Sequence, residues 1–179
     1  MDTVGQLMRA FRAVEPRADS ARKLDVLLDL ERGEDPRILP FLLGVLSDGG
    51  EPESVRMSVL ARLRDAPVAD SQHRTIGDAI RQVLLTEPAD GQLRLQAALA
   101  LGKFTDVDGV VDALGVVLAD AAAPMELRYN AFTSLYLRGP TADSLALLRR
   151  LRADETLGRC ASGLLAAWSS SPTEQGGTG

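Results

Sequence analysis

The chain of 179 residues has one cysteine, one histidine and one tryptophan, and only 4% of it is aromatic. A single cysteine excludes a disulfide framework within the chain and any cysteine-rich zinc site. A single histidine excludes a histidine-based metal cluster. Sparse aromatics, with few runs of Val, Ile, Thr and Tyr, argue against a β-sandwich or barrel. Lysine is scarce too: arginine outnumbers it 18 to 2, a bias that fits GC-rich bacterial coding. There is no excess of positive charge either. The net charge of −5 argues against general nucleic-acid binding or attachment to an anionic membrane surface. No window approaches the roughly 18 consecutive apolar residues of a membrane span. The first residues, MDTVGQLMRAFRAVEP, lack the apolar stretch of a signal peptide. Val4, Leu7, Met8, Phe11 and Val14 instead recur at helical spacing, so an amphipathic helix and a cytoplasmic protein are expected. The final stretch, SSSPTEQGGTG, is small and polar and reads as a disordered tail over 169–179.

What the chain has in quantity is leucine (29) and alanine (24), both strong helix formers. An all-α fold follows. Four segments align: VRMSVLARL from Val55, LRLQAALAL from Leu93, LRYNAFTSL from Leu127 and LGRCASGLL from Leu157, at offsets of 38, 34 and 30 residues. Their first, fifth and ninth positions share one helical face, with a small or β-branched residue in the middle: Val59, Ala97, Ala131 and Ala161. Each is preceded by a second apolar helix, beginning near Pro36, His73, Asp108 and Pro140 and closing in Asp48, Glu87, Asp120 and Asp154. Gly, Pro and Asp punctuate the joints. Helix pairs are therefore expected over 36–65, 69–104, 107–138 and 140–168, forming a single domain over 1–168. Val4–Val14 and Ser20–Glu31 read as a degenerate N-terminal cap pair over 1–34, with Arg22 aligned to Arg56 and with Asp25 and Asp29 at apolar positions. Core positions are expected at Leu42, Leu46, Val59, Leu63, Ile80, Leu84, Ala97, Leu101, Leu114, Leu118, Ala131, Leu135, Leu148 and Leu165.

The stretch LRLQAALALGKFTDVDGVVDALGVVLADAAAPMELRYNAF resembles HEAT repeats, specifically the short HEAT-like type of the phycobilin lyases. Leu93–Gly102 matches the V/L-R-x-x-A-x-x-A-L-G helix of that pattern. Leu118-Ala119-Asp120 and Leu46-Ser47-Asp48 match its L-x-D ending. The resemblance covers about 36–168 and weakens in the last repeat, where Gly158 replaces the arginine. It implies a right-handed α-α superhelix, a HEAT-like solenoid of about four helix pairs plus the cap, and a family composed mostly of scaffold and binding proteins.

Arg56, Arg94 and Arg128 recur at one site, eight, seven and eight residues after Asp48, Glu87 and Asp120. They read either as an arginine ladder for an anionic ligand or as structural residues that pair with, or cap, the acidic end of a neighbouring helix. The recurrence of the acid in step with the arginine favours the structural role.

The resemblance implies that the second helix of each pair lines a concave side. Opposite the core positions, at 100° per residue, this face carries Met57 and Arg64; Leu95 and Leu99; Tyr129, Thr133 and Tyr136; and Arg159. Exposed apolar and aromatic groups flanked by arginine read as a groove for a protein or peptide. Internal packing in a tightly curved solenoid and a homodimer seam are the alternatives.

Nothing assembles a catalytic set. Asp106 and Asp108 before Gly109 look like the start of a calcium loop, but the remaining ligands are missing and a capping role fits better. His73 reads as an exposed helix-end residue. Cys160 reads as a buried or half-buried thiol without a base. Trp168 reads as a seal at the end of the core. The chain is thus expected to be a non-catalytic interaction or scaffold module needing no cofactor or metal. Its expected partner is a protein or peptide, with no membrane and little prospect of nucleic acid. The alternatives are a HEAT-like enzyme or ligand handler, of lyase or alkyl-purine DNA glycosylase type, and a self-assembling subunit.

Overall fold

A computed structural model describes residues 2–15 and 19–170. Among them are ten α-helices and no strand: α1 (Thr3–Ala13), α2 (Ser20–Glu31), α3 (Ile38–Ser47), α4 (Glu53–Asp65), α5 (Asp70–Thr86), α6 (Gln92–Ala100), α7 (Val110–Ala119), α8 (Met125–Arg138), α9 (Ala142–Leu151) and α10 (Gly158–Ser170). A 3-10 turn at Leu101–Lys103 extends α6.

Local chemistry sets many of the boundaries. The Asp2 carboxylate accepts from the Gly5 amide at 3.0 Å and Asp19 from the Arg22 amide at 2.9 Å, capping α1 and α2. Thr141 and Ser144 form a reciprocal capping box on α9. Pro52 and Pro124 stand at the entries of α4 and α8, where a missing amide hydrogen costs nothing. Gly109 turns the chain into α7 with φ of 78°, a left-handed conformation that favours glycine.

Each odd-numbered helix packs on the even-numbered helix that follows it. Odd helices from α3 to α9 also pack on one another in chain order, as do even helices from α2 to α8. One continuous aliphatic core runs between the two rows, from Phe11 and Leu30 to Leu157 and Leu164. Of the expected core positions, all but Leu165 are buried; it is half-buried because α10 is the last described helix and nothing packs beyond it. The helix also runs two residues past Trp168, so Ser169 and Ser170 are helical; the rest of the expected tail, 171–179, lies outside the described residues.

The first pair differs from expectation by one residue. Lys23, not Arg22, occupies the place of Arg56: it is 1% exposed, its Nζ donates to both Glu51 oxygens at 2.7 Å, and it lies 4.4 Å from the Phe11 ring centre. In this register Val26, Leu27 and Leu30 are buried and Asp25 and Asp29 are exposed. The pair is therefore in register with the others, and the aspartates occupy no apolar position.

Candidate functional site

The recurrent arginines are internal fasteners. Arg56 Nε donates to the Leu46 carbonyl at 2.8 Å, Arg94 Nε to that of Leu84 at 2.8 Å, and Arg128 Nε to that of Leu118 at 3.2 Å. Each acceptor lies near the carboxyl end of the preceding odd helix, where orphan carbonyls need donors. The second partner comes from the following repeat: Arg56 reaches Glu87 at 2.5 Å, and Arg128 reaches Asp154. Lys23 and Glu51 repeat this arrangement in the first pair. For Lys23, Arg56 and Arg128 the paired acid is therefore the one after the cation, not the one before it that the spacing picks out; Arg94 has the carbonyl bond alone. A hydrogen bond donated by the Leu157 backbone N–H, then the Arg128 guanidinium, holds the Asp154 carboxyl below its ordinary pKa. With Arg56 and Arg128 buried and partnered, the ladder is not a surface for anions.

The face opposite the core is divided. Leu95, expected to be exposed, is 5% exposed, and Met57 and Leu99 are half-buried. The reason is stacking between repeats. Even helices on either side cover α6: Asn130 on α8 donates to the Leu95 carbonyl at 3.0 Å, and Arg64 on α4 to Gln96 Oε1 at 3.2 Å. Arg64 is half-buried and is also held by Asp65 at 2.7 Å.

The same register is open on α8, because α10 packs principally on α9. Tyr129 is 46% exposed and Tyr136 57%, with exposed Thr133 between them. Thr133 turns its hydroxyl back to donate to the Tyr129 carbonyl at 3.0 Å. Leu137, 61% exposed, extends the patch, a residue the motif count missed. Its signal was available, since it stands four residues after Thr133 and eight after Tyr129. Arg159 is exposed on α10.

The polar singletons have defined surroundings. His73 is not an exposed helix-end residue: its Nε2 lies 2.8 Å from Asp106 Oδ1 and its ring packs 4.9 Å from that of Phe104. That contact holds the Asp106 carboxyl below its ordinary pKa. Asp108 pairs with Arg74 at 3.1 Å, so neither aspartate caps α7. Cys160 is exposed, not buried. It follows Arg159 on the outer side of α10, which no later described helix covers. Trp168 is half-buried against the core. Among the described residues no group of three or more His, Cys, Asp or Glu side chains converges as a metal site. Nor is any described helix long and apolar enough to cross a membrane.

No known family model and no curated protein sequence matches the chain.

Proposed function

We propose that the chain is a HEAT-like solenoid that acts as a non-catalytic interaction module, taking a protein or peptide segment on the open α8 face. The observation that carries this reading is the exposure of Tyr129, Tyr136 and Leu137 along one side of α8, where the inner even helices α4 and α6 bury or half-bury the equivalent register. Tyrosines give a large contact area for little conformational entropy, and each keeps a hydroxyl for hydrogen bonding. The pairwise packing of consecutive helices, and of odd and even helices among themselves, supports a solenoid of stacked helix pairs of the kind the sequence resemblance implies. A cytoplasmic location fits the lone exposed thiol of Cys160, which a reducing compartment keeps free. The non-catalytic reading is supported by the engagement of the buried cations Lys23, Arg56 and Arg128 in fastening the repeats together.

The test is affinity capture from extract of the native cell, comparing the wild type with Tyr129→Ala, Tyr136→Ala. Both residues are solvent-facing, so the variant keeps its fold, as circular dichroism will check. A protein retained by the wild type and lost by the variant identifies the partner. Equal recovery by both moves the interaction off α8 and ends this reading. A mass that doubles with concentration in the wild type alone assigns the patch to self-association.

A further inference from the structure

A different region of the chain holds an unpaired charge beside a cavity. Lys23, Arg56, Arg64, Arg81, Arg94 and Arg128 are at least partly buried, and each donates to a carbonyl or a side-chain oxygen. Arg62 is also partly buried, yet it makes no hydrogen bond or ion pair among the described residues, and its Nη1 is sealed off without a partner. An isolated guanidinium in such a place is unfavourable unless something takes its hydrogen bonds.

The repeats supply an internal comparison. Arg62 is the eighth residue of its segment, where α6, α8 and α10 have Ala100, Ser134 and Leu164, all buried. At this position Ser134 closes the contact with the preceding even helix, donating to the carbonyls of Ala98 and Leu99 at 2.7 and 3.1 Å. For α4 the preceding even helix is α2, which ends at Glu31. A cation therefore stands where the three later repeats are shut.

Beside it is a cavity of about 210 Å³ between α3, α4 and α5, walled by Ile38, Leu39, Leu42, Leu63 and Ile76. Two acids also line it. Asp35 is committed to Arg37, whose Nε and Nη2 reach it at 2.9 and 2.7 Å. Glu34 has no hydrogen bond or ion pair among the described residues. On its other side Arg62 borders an open depression with Glu31 and Asp65, and Asp65 is held by Arg64.

The combination selects a guest. A simple anion would meet Arg62 but also the unpaired Glu34 and the nearby Glu31. A simple cation would meet Arg62. A small zwitterion with an aliphatic tail answers both charges and the apolar wall at once. An apolar cavity of about 150 Å³ holds a benzene-sized guest, so this one has room for a branched aliphatic side chain. The geometry points to a binding site for a free aliphatic α-amino acid, its carboxylate on Arg62, its ammonium on Glu34 and its side chain against Ile38, Leu42 and Leu63.

Isothermal titration of the full chain tests this with three probes of one carbon skeleton: L-leucine, 4-methylpentanoate, which lacks the ammonium, and 3-methylbutylamine, which lacks the carboxylate. Leucine is expected to saturate, with each analogue weaker by about tenfold or more. Glu34→Gln should bring leucine down to the level of 4-methylpentanoate, and Arg62→Gln to that of 3-methylbutylamine. Leu39→Trp, which fills the cavity from its half-buried wall, should abolish binding. Glu34 is exposed in the loop between α2 and α3, so its variant stays informative even where Arg62→Gln lowers stability. Absence of saturable leucine binding, equal affinity for all three probes, or leucine affinity unchanged by Glu34→Gln overturns the assignment.

Discussion

At the scale of single residues, the arginines at the second position of the α4, α6 and α8 segments do unequal work. Arg128 is buried, bonds the Leu118 carbonyl through Nε and Nη2, and carries the Asp154 pair as well. Arg94 is half-buried and bonds only the Leu84 carbonyl. Removing one member of a buried pair strands the other, which costs about 3–5 kcal/mol. Asp154 still reaches some water, so Arg128→Ala should cost about 3 kcal/mol, at the low end of that range. Arg94→Ala gives up a single hydrogen bond and should cost about 1 kcal/mol. Urea unfolding of the two variants measures the difference, and equal losses would mean that the Asp154 pair contributes nothing. The same carboxylate makes stability depend on acid. Its native pKa lies below the ordinary 3.8, as do those of Asp2, Asp35 and Asp106. The unfolded chain therefore binds protons first as pH falls. The stabilisation is complete above the unfolded value and is lost as pH drops through it toward the native value. Unfolding midpoints from pH 5 down to pH 3 should fall, and Asp154→Asn should start lower at pH 5 and fall less steeply.

At the scale of helices, α8 is positioned by its closeness to the end of α6. A Cβ on Gly102 would come 3.0 Å from Leu137 Cδ1 and 3.1 Å from Ser134 Oγ. Ser134 is fixed by its two bonds to α6, so the strain falls on the contact between the helices. Gly102→Ala should destabilise by about 1–3 kcal/mol, as overpacking does. It should also disturb the tyrosine face, because Leu137 has to move. Tyrosine fluorescence quenching alongside thermal unfolding would detect both effects, and a neutral Gly102→Ala would show that α8 can slide. Much at this scale was legible in the sequence. Helical spacing of leucines and the Gly, Pro and Asp punctuation located the helices, because both act within a few residues. What was not legible depends on contacts between repeats. Leu95 and Tyr129 hold the same register position, and only the closeness of the next even helix decides that one is buried and the other open. The offset at Lys23 has a similar cause. An aligned arginine at Arg22 looked sufficient, whereas the buried cation is the one facing Glu51. Nor did anything local mark Arg62 as unpaired, since its surroundings come from α2, α3 and the turn that joins them.

At the scale of the whole molecule, stability should be distributed as a chain of neighbour contacts rather than concentrated in one centre. Each fastening cation joins consecutive repeats: Lys23 on α2 to the α3–α4 joint, Arg56 on α4 to the α5–α6 joint, and Arg128 on α8 to the α9–α10 joint. Removal of an inner pair and of the terminal pair are therefore different operations. Deleting 69–104 takes away α5 and α6 together with Glu87, leaving Arg56 buried without its acid and setting α3 and α4 against α7 and α8, on which they do not pack in the intact chain. Ending the chain at Gly139 removes α9, α10 and Asp154, exposing one face of α7 and α8 but leaving every earlier contact in place. The inner deletion should abolish cooperative unfolding. The truncation should keep a cooperative transition at a lower midpoint, with the loss partly recovered by Arg128→Met, because methionine needs no acid and no carbonyl partner. Thermal unfolding followed by circular dichroism distinguishes these outcomes. If the truncated chain also lost its transition, the core would be a single cooperative unit, and the fasteners would act as details of it rather than as the links that join one repeat to the next.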